Sequence, residues 1–470
     1  MIEHSCPVIV LDDVREELWQ ISHGLSVCGL PIMPHLIVGG RLERQPPNRH
    51  EGVRLLFTDL HVLGPTQSKP ELYVSALVRF IQQLINPSTY LIVFWSAYPE
   101  EAERAWELLV SRLKTIGAEN LIPFGYRILD KAEIKNISDE DIEISAKATE
   151  DVNASIKAIF DDFPQLKSLM QWESCASRAA SATSNELISK LDKGGIPFTN
   201  CDAVKSTLKR MSQEALGLPH APNAPTKGVY QALSPIAQDW LSHEAEKGAL
   251  DEFLDLNSKT STPLPAVIAG KPKLATLLND FFIHTEQSNV KPFERGALIR
   301  VSETFLNGEY FGLVHEIGLT ENGNDWREAI CVEFGFQFTQ KSEADKNPCK
   351  SLISAKNIYV VELSADCDYA QDKARSHRFL LALFVPNPDL KNFYSKSKNL
   401  YANEAIYSTP EITLDGVEGK LLISCRVFIS RPNKKTIPGN PVTRIRQEVL
   451  SEIAHHYATH MRRPGKIAFF

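Results

Sequence analysis

The sequence predicts a multidomain chain of α/β, then α, then β character, on three observations. Up to residue 138, wholly apolar runs alternate with segments whose apolar residues recur every three or four positions, the pattern of a doubly wound α/β sheet. From 139 to 290 the helical spacing continues and strand signals stop. From 291 to 470 short apolar runs return, separated by turn residues, as in a curled sheet or small barrel. The predicted domains are therefore 1–138, 139–290 and 291–470.

In the first domain the strand runs are Val8-Ile9-Val10-Leu11, Leu55-Leu56-Phe57-Thr58, Tyr90-Leu91-Ile92-Val93-Phe94-Trp95 and the weaker Tyr126-Arg127-Ile128-Leu129. Helical spacing covers 13–28 through Leu18, Ile21 and Leu25, 71–84 through Val74, Leu77, Phe80, Ile81 and Leu84, and 99–116 through Ala102, Trp106, Leu109 and Leu113. Pro99 with Glu100 and Glu101 suits a helix start, by its fixed φ and by dipole complementarity. Residues 39–52 carry glycines and prolines and read as loop, although a regular doubly wound unit would have a helix there.

In the middle region Ile142, Ile156, Phe160, Leu166, Leu169 and Trp172 continue a helical stripe to 191. A break at Lys193-Gly194-Gly195-Ile196-Pro197 and a proline-rich turn at 219–225 precede further helices to 280, as in a bundle or an extended hairpin. An aromatic at this spacing, such as Trp172 beside Glu173, is expected in the core. In the last domain 297–301, 329–332, 358–363 and 379–385 read as strands, and 444–461 as a helix.

The chemistry lies where the first strands stop. Asp12 and Asp13 close the first run, Asp59 the second, Ser96 the third and Lys131 the fourth. Acidic side chains at the carboxyl ends of parallel strands converge on one crevice, where ligands bind. Carboxylates brought so close repel unless a positive charge sits among them. A hard cation, Mg2+, takes such oxygen ligands and often bridges carboxylates to a phosphate. If Asp59 attacks a phosphoryl donor, Mg2+, Ser96 and Lys131 are placed to meet the charge on the transferred group, and Lys131 pairs with Asp59 at rest.

The ordered set of acid pair, single acid, Ser-Ala and Lys resembles the receiver domain of two-component response regulators, and the resemblance implies a CheY-like fold. It also implies that Asp59 is the phosphoacceptor, that Asp12 and Asp13 with Asp59 hold Mg2+, and that Ser96 and Lys131 sense the phosphate. The implied partner is a histidine kinase. Two features depart from the family: Ala132 stands where receivers usually have proline after the lysine, and the loop at 39–52 takes the place of a helix. These departures are similar to those of divergent receivers in bacterial anti-phage two-component systems of the Detocs type. With no P-loop or nucleoside-cleaving signature after residue 138, the chain resembles the effectorless regulator of such a system, a phosphate sink working beside a second response regulator.

Composition narrows the alternatives. A chain of 470 residues, 43% hydrophobic, is large enough for two to four domains. A net charge of -7 without a basic block argues against nucleic acid as a partner. The eight cysteines form no CxxC pair, as expected of reduced thiols. The opening residues lack a signal-peptide pattern and no run reaches a membrane span, so a cytoplasmic location with no membrane partner is expected. A rival reading makes the last domain an effector, a binding module or enzyme centred on Asp366-Cys367-Asp368, with Lys373 lowering the Cys367 pKa. That stretch, Leu363-Ser364-Ala365-Asp366-Cys367-Asp368, is similar to a Ser-Pro-x-Cys-Asp signature found with divergent receivers, with Ala365 in place of proline. The simpler reading of the same residues is a strand-to-turn element capped by aspartates. His456 and His460 have metal-ligand spacing beside His455, but with no third ligand nearby they are expected on an exposed helix face.

Overall fold

The computed structural model describes residues 6–63, 70–131, 146–218, 221–246, 272–285, 289–306, 326–334, 354–364, 376–388, 390, 405–432, 437 and 439–461. The chain forms two compact units, Met1–Ser189 with Ile236–Lys259 and Lys190–Pro235 with Thr260–Phe470. This division does not run along the composition shifts at 138 and 290.

In the first unit the unbroken apolar runs β1 (Val8–Asp12), β4 (Leu55–Thr58) and β5 (Leu91–Ser96) are strands buried on both faces, as parallel strands covered by helices require. Flanking them, and partly exposed, are β2 (Ile32–Val38), β3 (Arg41–Leu42) and β6 (Gly125–Asp130). The sheet order is β3-β2-β1-β4-β5-β6, parallel throughout except for the short β3. The chain steps from β1 to one side and returns to its other side at β4. The crevice beyond the carboxyl ends of β1 and β4 is therefore the topological switch point, where open α/β sheets bind ligands.

Side chains alternate between the two faces of the sheet. Ile9, Leu11, Leu56, Ile92 and Phe94 pack under α2 (Pro70–Leu84) and α3 (Ala102–Thr115). Val8, Val10, Leu55, Phe57, Val93 and Trp95 pack under α1 (Arg15–Val27) and α4 (Ala146–Asp162). Each such fully buried apolar side chain contributes about 1.5–3 kcal/mol. Residues 39–52, read as loop from their glycines and prolines, contain no helix, although Arg41–Leu42 within them form the short β3.

Helix α5 (Pro164–Lys193) docks through Leu166 in the core and a forked ion pair, Arg54 Nη2 and Nε to Glu173 Oε1 at 2.5 and 3.1 Å. Trp172 is not core: it is 55% exposed, because Glu173 rather than Trp172 turns toward the sheet. The later part of α7 (Pro225–Ala245) runs along α5, with Trp240 Nε1 donating to Glu186 and Arg178 paired with Glu244. In the second unit α6 (Cys201–Leu216) meets α7 at Gly228, where a Cβ would fall 2.8 Å from Ser212 Cα.

The C-terminal part of the second unit is a curled antiparallel sheet of seven strands. These are β7 (His284–Thr285), β8 (Ala297–Val301), β9 (Ile358–Glu362), β10 (His377–Pro386), β11 (Ile406–Leu414), β12 (Val417–Arg431) and β13 (Gly439–Ile445), in the order β11-β12-β10-β9-β8-β13-β7. Bulges at Leu380/Ala382 and Ser408/Glu411 bend it. Asp415-Gly416, both at positive φ, form the tight turn of the β11–β12 hairpin. α8 (Pro272–Ile283) and α10 (Gln447–Met461) pack on one face through Ile283, Leu450 and Ile453.

The predicted strand at 329–332 is instead part of a helix, α9 (Trp326–Glu333). Trp326, Ile330 and Phe334 are all buried at a spacing of four, so a helical face meets the sheet there. The short apolar run did not reveal its period. His455 is exposed, but His456 and His460 are half-buried, which corrects the expected exposed face. His456 lies edge-on to Tyr407 at 6.0 Å, and among the described residues its Nε2 and the Nδ1 of His460 are buried without a hydrogen-bond partner. The cysteines whose side chains are described are free thiols, and no helix among the described residues is long and apolar enough to cross a membrane.

Candidate functional site

Register brings the strand-end acids together. Leu11 pairs with Thr58, so the next residues, Asp12 and Asp59, leave the sheet side by side at the switch point. The Asp59 N–H donates to Leu11 O at 3.2 Å, tying the loop after β4 to β1. Asp12 is fully buried, and its Oδ1 accepts the Val14 N–H at 2.8 Å at the start of α1.

Lys131, just beyond β6, reaches into this space and is 3% exposed. Its Nζ lies 2.9 Å from Asp59 Oδ2 and 3.2 Å from Asp12 Oδ2, and it also donates to Glu17 Oε2. The ring of Trp95 lies 4.8 Å from the same nitrogen. One ammonium thus faces three carboxyl groups, which leaves net negative charge for a further cation to balance once they are ionised. Oxygens of Asp12, Glu17 and Asp59 all lie within 4.8 Å of one another, close enough to hold a metal ion.

The electrostatics carry the mark of that crowding. Burial pushes the Asp12 carboxyl up to about 7, with Asp59 and Glu17 adding to the rise and Lys131 opposing it. Asp13 is raised in the same direction by burial and by Asp59. For Lys131 burial works against the charge, yet attraction to Asp12 and Asp59 and its carboxylate hydrogen bonds outweigh it and hold the ammonium above its ordinary pKa.

Asp12, Asp59 and Lys131 are therefore gathered in one place. Asp13 is half-buried and is not among the three acids within reach of one ion. Ser96 ends β5 fully buried at the same edge, where its Oγ accepts the Tyr98 N–H at 3.2 Å. Sequence reading missed Glu17. The available signal was its place one turn beyond Asp13 on the helix that leaves the acid pair. It also missed a bridge behind Asp59. His61 Nε2 lies 3.0 Å from Glu101 Oε2, which also accepts the Tyr73 hydroxyl at 3.1 Å, and the His61 ring lies 4.7 Å from that of Tyr98. The loop after Asp59 is thereby tied to the segment that follows Ser96.

Asp366, Cys367, Asp368 and Lys373 lie outside the described residues, as does Ala132. The strand ends flanking that stretch hold a buried Glu362, whose Oε1 accepts from Ser364 and lies 3.1 Å from His377 Nδ1. No protein-family model, curated protein or solved structure matches this chain.

Proposed function

We propose that the α/β part of the first unit is a CheY-like receiver that accepts a phosphoryl group on Asp59. The observation that carries this reading is a buried lysine bridging two strand-end aspartates across the switch point, Lys131 to Asp12 and Asp59. Leaving out the short β3, the strand order β2-β1-β4-β5-β6 is the 2-1-3-4-5 arrangement of the flavodoxin and CheY class.

The donor set of Asp12, Glu17 and Asp59 is all carboxylate oxygen, which fits Mg2+. Bound there, Mg2+ would neutralise charge shared by the acceptor carboxylate and the phosphoryl oxygens. Asp12 and Glu17, with Asp59, would hold the ion. Asp59 Oδ attacks phosphorus in line: a P–O bond forms as the P–N bond of a phosphohistidine donor breaks, and the imidazole leaves with a proton from solvent. Lys131 then exchanges its carboxylate contact for a phosphoryl oxygen, and Ser96 turns its hydroxyl from Tyr98 toward the same group. Because His61 and Tyr98 are in contact behind Asp59, that turn reaches the face formed by β5 and α3.

The donor in this reading is a partner histidine kinase. The setting is an anti-phage two-component system in which the chain, lacking an enzymatic output of its own, drains phosphoryl groups beside a second response regulator. Incubation of the full chain with Mg2+ and a small phosphodonor tests the chemistry. Hydroxylamine-sensitive phosphate on wild type and none on Asp59→Asn is expected, whereas equal labelling of both, or of neither, overturns the reading.

A further inference from the structure

We propose that Trp95 is a positioning residue for Lys131, holding the ammonium over the switch point through the electron-rich face of its indole. The proposal rests on the reading of Asp59 as phosphoacceptor. Lys131 follows β6, whereas its carboxylate partners Asp59 and Asp12 stand at the ends of β4 and β1, two and three strands away in the sheet. With strands about 4.7–4.9 Å apart, the side chain has to cross β5 to reach them. Trp95 is the β5 residue it crosses, with the Lys131 Nζ standing over the indole at 4.8 Å from the ring centre.

Packing alone does not account for an indole at this place. Trp95 is 2% exposed among Val8, Val10, Phe57 and Val93, and among the described residues its buried Nε1 has no hydrogen-bond partner. An unpaired buried N–H destabilises, and phenylalanine would fill much of the same space without one. What indole adds beyond bulk is the strongest quadrupole of the aromatic side chains, whose negative face attracts a cation, most of all where water is excluded. The Lys131 ammonium is such a cation: it is buried, and it donates to Asp12, Asp59 and Glu17. The acids draw it across the sheet, and the ring supports it on the β5 side. Trp95 also precedes Ser96 directly, so the hydroxyl and the support of the ammonium come from consecutive residues of one strand. When Lys131 exchanges a carboxylate for a phosphoryl oxygen, its nitrogen turns over this ring instead of swinging free.

The test replaces Trp95 in the full chain by mono-, di- and trifluorotryptophan, introduced at that codon alone. Fluorine drains the ring face and leaves the shape of the side chain nearly unchanged. The rate of Mg2+-dependent labelling of Asp59 by a small phosphodonor should fall with each fluorine, to about tenfold below wild type, which is about 1.4 kcal/mol of barrier. Trp95→Phe should lie within the series and Trp95→Leu at or below its low end. Urea unfolding in EDTA gives a second readout. Stability should fall along the same series when Lys131 is present and stay level in a Lys131→Met background, as a double-mutant cycle requires of a direct contact. A labelling rate that does not follow fluorine content overturns the proposal and leaves the receiver reading intact, as does an equal loss of stability with and without Lys131. Absence of label on every protein, wild type included, overturns that reading and this one with it.

Discussion

Replacing Lys131 by methionine keeps most of the side-chain volume and removes the charge that three carboxylates share. At an effective dielectric of about 20, unit charges roughly 3 Å apart attract by about 5 kcal/mol, and Lys131 makes two such contacts besides that to Glu17. Most of this gross attraction is offset by the desolvation that the variant no longer suffers, and Asp12, already near neutrality, can take up a proton. What remains is the cost of buried carboxylates left without a partner, about 3–5 kcal/mol. Urea unfolding in EDTA, followed by tryptophan emission with Trp95 beside the lysine, should show the variant less stable by that amount. Mg2+ at a hundred times its Kd should return about 2.7 kcal/mol, because a bound ion adds stability by mass action. It should also bind the variant more tightly than wild type, where the ammonium occupies the same oxygens. Equal stability of the two proteins in EDTA would refute the reasoning, since the ammonium would then not be what balances the cluster.

Glu17→Gln removes one of the three converging oxygens and should weaken Mg2+ binding by about tenfold, measured by calorimetry, with Asp13→Asn costing less. Mg2+ affinity should rise about tenfold per pH unit up to about 7 and level off above it, because the ion needs Asp12 ionised. Without metal the sign for Asp12 is opposite. A carboxyl whose folded pKa is raised makes the folded state bind the extra proton, so its contribution to stability is lost as pH rises from about 4 to about 7. His35 has a lowered folded pKa, so the unfolded chain takes up the extra proton. Its contribution should fall as pH drops from about 6.5 to about 4, and His35→Gln should flatten that limb of the pH profile.

Much of the first unit could be read from residues alone, because parallel strands covered on both faces need uninterrupted apolar runs, and β1, β4 and β5 supply them. The acids and the lysine were legible for the same reason: they stand where such runs stop. Glu17 was not, since an acid in the first turn of a helix also serves the helix dipole, and only the seating of α1 shows which way it points. The contact of His35 with His50 depends on the path of a loop, which no periodicity encodes. In the second unit β11 and β13 mix polar residues and proline with apolar residues, so their runs are broken and went unread. At 329–332 the opposite happened, an apolar run too short to tell strand from buried helix.

Borohydride reduction of a freshly phosphorylated sample, followed by peptide mass spectrometry, addresses the acceptor itself. An acyl phosphate at Asp59 is converted to homoserine there and nowhere else, and Mg2+ is required for it to form; that is the predicted result. Phosphate traced to another residue, or formed equally well in EDTA, would contradict the account.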